Sequence, residues 1–141
     1  MGYIFSIIAG AAMSIQGVMN TRLSEKIGLY ESNTFVQGTA FLLSAVVMYF
    51  MGNGDWSGIR SVNKFYLIGG ALGIVITVTV MLGVKALSPT LAISVILISQ
   101  LTVAALIDAF GIMDTEKVAF GWNKLVGTAL MISGVLLFKL K

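Results

Sequence analysis

Five long runs without a charged side chain limit what this chain can become: Met1–Thr21, Ser32–Gly54, Phe65–Val84, Ala86–Ile107 and Leu125–Phe138. A helix crossing a bilayer core needs about 20 consecutive, mostly apolar residues. The first four runs meet that length. The last has 14 residues, so its span must reach back to Val118, which places Lys124 in the first turns. There its ammonium can extend to the interface while its stem stays in lipid. Helices are therefore expected at residues 3–21, 32–52, 65–85, 89–110 and 118–138. None of the runs alternates apolar with polar residues as a barrel strand does. The expected fold is an all-α integral membrane protein, a single domain over residues 1–141 with five transmembrane helices. The connections are too short to hold a soluble domain. Pro89, the only proline, suits the first turn of the fourth helix, where a missing N–H matters least.

Composition excludes several classes of function. Only 11% of residues are charged, against about 25% in an average soluble domain, and the mean hydropathy is +0.97. Cysteine and histidine are both absent, so there is no disulfide, no thiolate metal site and no imidazole base. The net charge of +3 is too small for a nucleic-acid binder and fits basic residues flanking membrane spans. No nucleophile–base pair, metal-ligand cluster or phosphate-binding loop is present, and no second acid lies deep within a span. An enzyme is not expected, nor is any cofactor or metal. The first charged side chain is Arg22, which leaves no basic region for a cleaved signal, so the first run is read as a retained helix.

The polar residues inside the runs are the candidate functional groups. Gln16 and Asn20 stand four apart on one face of the first helix, and Asn33 and Gln37 four apart on the second. Gln100 and Asp108 share a face of the fourth. Thr77 and Thr79 are the mid-span polar residues of the third helix, but hydroxyls can satisfy their own backbone carbonyls. An amide in a membrane helix can also serve as interhelical glue, worth about 0.6 kcal/mol. Five amides on three helices fit better as the lining of a polar cavity. A carboxylate at mid-membrane costs roughly 2.5–3.5 kcal/mol on the insertion scale, so Asp108 is expected to face a substrate, a proton path or a basic partner, Lys117 or Lys124. Gly69 and Gly73 make a small-residue step for helix packing, and Gly127 and Gly134, seven apart, make a narrow groove on the fifth helix.

With five helices the termini lie on opposite sides. The side of the N-terminus, side A, carries Arg60, Lys64, Lys117 and Lys124; side B carries Arg22, Lys26, Lys85, Lys139 and Lys141. So even a split gives little to the rule by which cytoplasmic loops hold the lysines and arginines. Insertion in both orientations is one reading and a weak bias the other. The first would let two copies pair as an inverted repeat.

The chain resembles the drug/metabolite transporter superfamily, and within it the short five-helix YdcZ-like bacterial family. The stretches that carry the likeness are Ile15-Gln-Gly-Val-Met-Asn20-Thr-Arg-Leu23 with Gly28, Phe35-Val-Gln-Gly38, Gly69-Gly-Ala-Leu-Gly73, Ser88-Pro89 with Gln100-Leu101, Ile107-Asp108-Ala-Phe-Gly111, and Gly127 to Gly134-Val135. The paired glycines of the last helix are also similar to the dimerisation motif of small multidrug resistance proteins. Those proteins carry a glutamate in their first helix; the neutral Gln16 and Asn20 stand here instead, leaving Asp108 for any coupling role. The resemblance implies a secondary transporter of a small polar or cationic metabolite or drug in the bacterial inner membrane, working by alternating access. It also implies an antiparallel homodimer, one five-helix half per chain. Gln16, Asn20, Asn33, Gln37 and Gln100 would bind substrate, Asp108 would supply counter-charge, and Gly127 and Gly134 would pack the dimer. A passive channel and a subunit of a heteromeric transporter are the rival readings.

Overall fold

The structure, a computed structural model, describes residues 1–118 and 121–140. These residues are helical with no strand, in five α-helices: α1 (Gly2–Ile27), α2 (Leu29–Met51), α3 (Gly69–Ala86), α4 (Pro89–Phe110) and α5 (Trp122–Lys139). The chain divides into two compact units, Met1–Ala86 and Leu87–Lys141.

In the first unit α1 and α2 are separated by a single residue, Gly28, at φ 104°. Side chains other than glycine rarely adopt that backbone, and a Cβ there would overlap the Glu31 carboxylate. The charged stretch Arg22–Glu31 was expected to be the loop between the spans. Arg22–Ile27 instead prolong α1, with Arg22 paired to Glu25 one turn on at 3.1 Å. Charge marks where a helix leaves lipid; only a backbone such as that of Gly28 marks where it stops. α2 leads through two short 3-10 turns, Trp56–Arg60 and Lys64–Ile68, into α3. Asp55 and Asn63 cap these turns by accepting from the Ser57 and Phe65 backbone N–H groups. The Asp55 carboxylate also accepts from the Ser57 hydroxyl, and these bonds hold its pKa below the usual value.

α1 packs on both α3 and α2. Its close approach to α3 is at Gly17, where a Cβ would lie 3.1 Å from Val80 Cγ1. Met81 and Val84 of α3 are the buried apolar side chains of the unit. Gly73 faces α2, with Gln37 Nε2 3.6 Å from where its Cβ would be, whereas the space beside Gly69 is open.

In the second unit Ser88 caps α4 by accepting from Leu91 N–H, and Pro89 opens the helix. Gly111 ends it in the left-handed region at φ 64°. The segment after it folds back, so that Val118 N–H donates to the Asp108 carbonyl at 2.9 Å. Within this turn Met113 and Asp114 hold positive φ of 61° and 60°. α5 begins at Trp122, not near 118, and packs along α4.

Four helical segments, Gly2–Ile27, Leu29–Met51, Lys64–Ala86 and Pro89–Phe110, are long and apolar enough to cross a membrane. α5 has 18 residues, about 27 Å at 1.5 Å each, and its first turn holds Asn123 and Lys124. Large apolar side chains such as Phe41, Phe50, Leu130 and Leu137 stand exposed on these helices. Surface of that kind in a water-soluble monomer would be a liability; in lipid it is the expected outer face.

Candidate polar sites of the two units

The first unit gathers neutral polar groups where α1 ends and α2 begins. Asn20, Thr21, Ser32 and Asn33 are all buried. Their local bonds follow from sequence spacing: Thr21 donates to the Gly17 carbonyl four residues back, and Ser24 to Thr21. Ser32, fully buried, donates across to the Asn20 carbonyl at 3.3 Å and ties the two helices. Asn33 is 8% exposed, and its side-chain carbonyl oxygen, Oδ1, is buried with no hydrogen-bond partner. Leaving such an acceptor unpaired costs about 1–3 kcal/mol. One turn deeper on α2, Gln37 Nε2 donates to Thr77 Oγ1 at 3.2 Å, and Thr77 donates in turn to the Gly73 carbonyl.

Of the residues singled out by sequence, Asn20, Asn33 and Gln37 lie in this unit: Ser32, next to Asn33, bonds the Asn20 carbonyl, and Gln37 bonds Thr77 of α3. Gln16, although four residues before Asn20, is exposed on α1. Ser32 was not singled out from the sequence, because nothing in a lone serine distinguishes a helix tie from a local backbone bond. An open cavity of about 480 Å³ at the far end of α2 is lined by Met48, Gly52, Gly54, Asp55, Trp56 and Ile59. Its carboxylate, Asp55, is already engaged by Ser57.

The second unit holds charge instead. Asp108 Oδ2 lies 3.6 Å from Lys124 Nζ, linking the last turn of α4 to the first of α5. Of the two lysines that could have met it, Lys117 sits in the connecting turn and Lys124 makes the contact. The pair stands over a groove of about 280 Å³ whose lining includes Leu101, Ala104, Ala105, Gly127, Thr128 and Met131. Gln100 is exposed on α4. Gly127 and Gly134 have nothing within 4 Å of where a Cβ would be, and at Gly127 that open space belongs to the groove against α4. Among the described residues no group of three or more His, Cys, Asp or Glu assembles that could hold a metal ion.

Long apolar helices, with buried amides in one unit and the Asp108–Lys124 pair in the other, are those of a multi-pass membrane protein. The model of one family, described as "Putative inner membrane exporter, YdcZ", matches residues 1–137, and the chain belongs to that family. No curated protein and no solved structure matches it. Membership places the chain in the inner membrane and assigns it to a family of membrane transporters.

Proposed function

We propose that the chain is a secondary transporter that exports a small polar or charged metabolite by alternating access, as an antiparallel homodimer of five-helix halves. The observation that carries the binding role is Asn33: a buried carbonyl oxygen left without a partner, next in sequence to the Ser32 that ties α2 to Asn20 and one turn from Gln37. A substrate donating a hydrogen bond would satisfy it, and the unliganded state would bear the cost. Gln16 and Gln100 present further amides, and Asp108 supplies counter-charge.

Three features support the dimer. The lysines and arginines divide almost evenly between the two sides. Gly127 and Gly134 are small residues seven apart on α5 with no heavy atom within 4 Å of where a Cβ would be, which suits the close approach of a partner helix. Inversion of a second copy brings the partner's Asp108 to the membrane side that holds Asn20, Asn33 and Gln37, completing one lining from two chains.

The test compares metabolites in the medium of cells overproducing the wild type, Asn33→Ala and an empty control, by mass spectrometry. The expected result is at least one small polar metabolite enriched outside only with the wild type. Identical media from all three, with both proteins in the membrane, would remove the export role.

A further inference from the structure

Asp108 alone would suit a cation. Lys124 changes that, because it makes the mouth of the α4–α5 groove neutral overall. Their separation of 3.6 Å exceeds the roughly 2.7–2.9 Å of a charge-assisted hydrogen bond. Both side chains also keep considerable exposure, 35% for Lys124 and 46% for Asp108. A carboxylate offers about four lone-pair positions and an ammonium three N–H groups, so each can take a second partner without releasing the first. A simple cation drawn to Asp108 would meet the like charge of Lys124, and a simple anion drawn to Lys124 would meet Asp108. A molecule with both charges avoids both repulsions and adds no net charge near the bilayer.

Below the pair the walls turn apolar. Leu101 and Met131 supply contact area, while Ala104, Ala105 and Gly127 leave room. About 280 Å³ is just under the roughly 300–1,000 Å³ of pockets for drug-sized ligands, which suits one small metabolite. We propose that this groove recognises an amphipathic zwitterion, with a primary ammonium against Asp108, an oxyanion against Lys124 and an apolar body along Leu101, Ala104, Ala105 and Met131. The proposal narrows the substrate class at Asp108 and rests on the transporter reading only for the step after binding. A free amino-acid-like molecule and a phosphatidylethanolamine headgroup share this chemistry.

Binding is tested on the full chain in nanodiscs of phosphatidylcholine and phosphatidylglycerol, by calorimetry with L-leucine, its methyl ester (cation only) and 4-methylpentanoate (anion only). A parallel arm replaces phosphatidylcholine with phosphatidylethanolamine and reads the melting temperature. The expected result is zwitterion recognition in at least one arm. Either leucine binds at least tenfold more tightly than both single-charge analogues, or phosphatidylethanolamine raises the melting temperature; the arm that responds identifies the source. Asp108→Asn and Lys124→Gln each abolish the response, Ala104→Leu weakens it by filling the groove, and the exchange Asp108→Lys with Lys124→Asp restores it. Methyl ester binding as tightly as leucine, or no response in either arm, overturns the proposal. Zwitterion binding without any export would sink the transporter reading alone, and export without zwitterion binding would sink this one alone.

Discussion

The two units meet the same difficulty, polar groups on helices that belong in lipid, in opposite ways. The first unit uses neutral groups and buries them: Asn20, Thr21, Ser32 and Asn33 sit between helices, and Asn33 keeps an unpaired acceptor. The second uses full charges and keeps them half exposed at helix ends, where Asp108 and Lys124 neutralise each other. Burial of a charge would cost several kcal/mol even when paired, whereas an amide can be buried for far less. In the proposed transporter the two units divide the work, with hydrogen bonding to substrate in the first and charge selection in the second.

The largest expected effects separate these tasks. Asp108→Asn should reduce export at least tenfold by leaving Lys124 without its partner. Asn33→Ala should reduce export to a similar degree while leaving the melting temperature unchanged or raised, equivalent to as much as about 1 kcal/mol, because it deletes an unsatisfied acceptor. A structural asparagine would behave in the opposite way, with lost stability and retained export. Paired transport and thermal-melt measurements on the two variants decide between them.

The turns sharpen the comparison next. The first unit has positive φ only at a glycine, Gly28, whereas the second has it at Gly111 and also at Met113 and Asp114. Gly28→Ala should destabilise by about 1–2 kcal/mol or more, since it adds left-handed strain and a clash with Glu31. Met113→Gly should relieve strain and raise the melting temperature slightly. A tolerant Gly28 would mean that the α1–α2 junction does not hold Asn20 and Asn33 in place.

Smaller still is the bond from Gln37 to Thr77. A double-mutant cycle with Gln37→Leu and Thr77→Val should give a coupling of about 0.6 kcal/mol, the average for membrane helices. A coupling near zero would free Gln37 from a packing role. The least effect is expected at Asp55, which is fully exposed. Its folded pKa lies below the unfolded value, so its contribution is present above about pH 4 and fades as pH falls through the folded pKa. Trp56 fluorescence should report loosening of this turn on acidification, absent in Asp55→Asn.

Much of this architecture was legible in the sequence, because uncharged runs of bilayer length have few alternatives. Pro89 at the head of α4 followed from its missing N–H. The end of α1 was less legible, since Arg22 to Lys26 look like a loop by charge yet satisfy their backbone as helix. The site divided similarly. Asn20, Asn33 and Gln37 were recognisable as amides in lipid-length helices, but Gln16 on the same face stays exposed, which spacing alone cannot show. The role of Gly17 is not legible in the sequence, because it depends on Val80, a residue of another helix. Lys117 and Lys124 were equal candidates for Asp108 until the turn after Gly111 fixed which one returns to α4.

The proposed inverted pair is what joins the two kinds of site, and orientation tests it most directly. The chain has no cysteine, so Gly2→Cys and Leu140→Cys can be labelled in separate variants without background. Each is exposed to membrane-impermeant maleimide in intact cells and in inverted vesicles. Labelling of each terminus from both sides is the expected result. Labelling of each from one side only would contradict the antiparallel homodimer and separate the amides from the partner's Asp108.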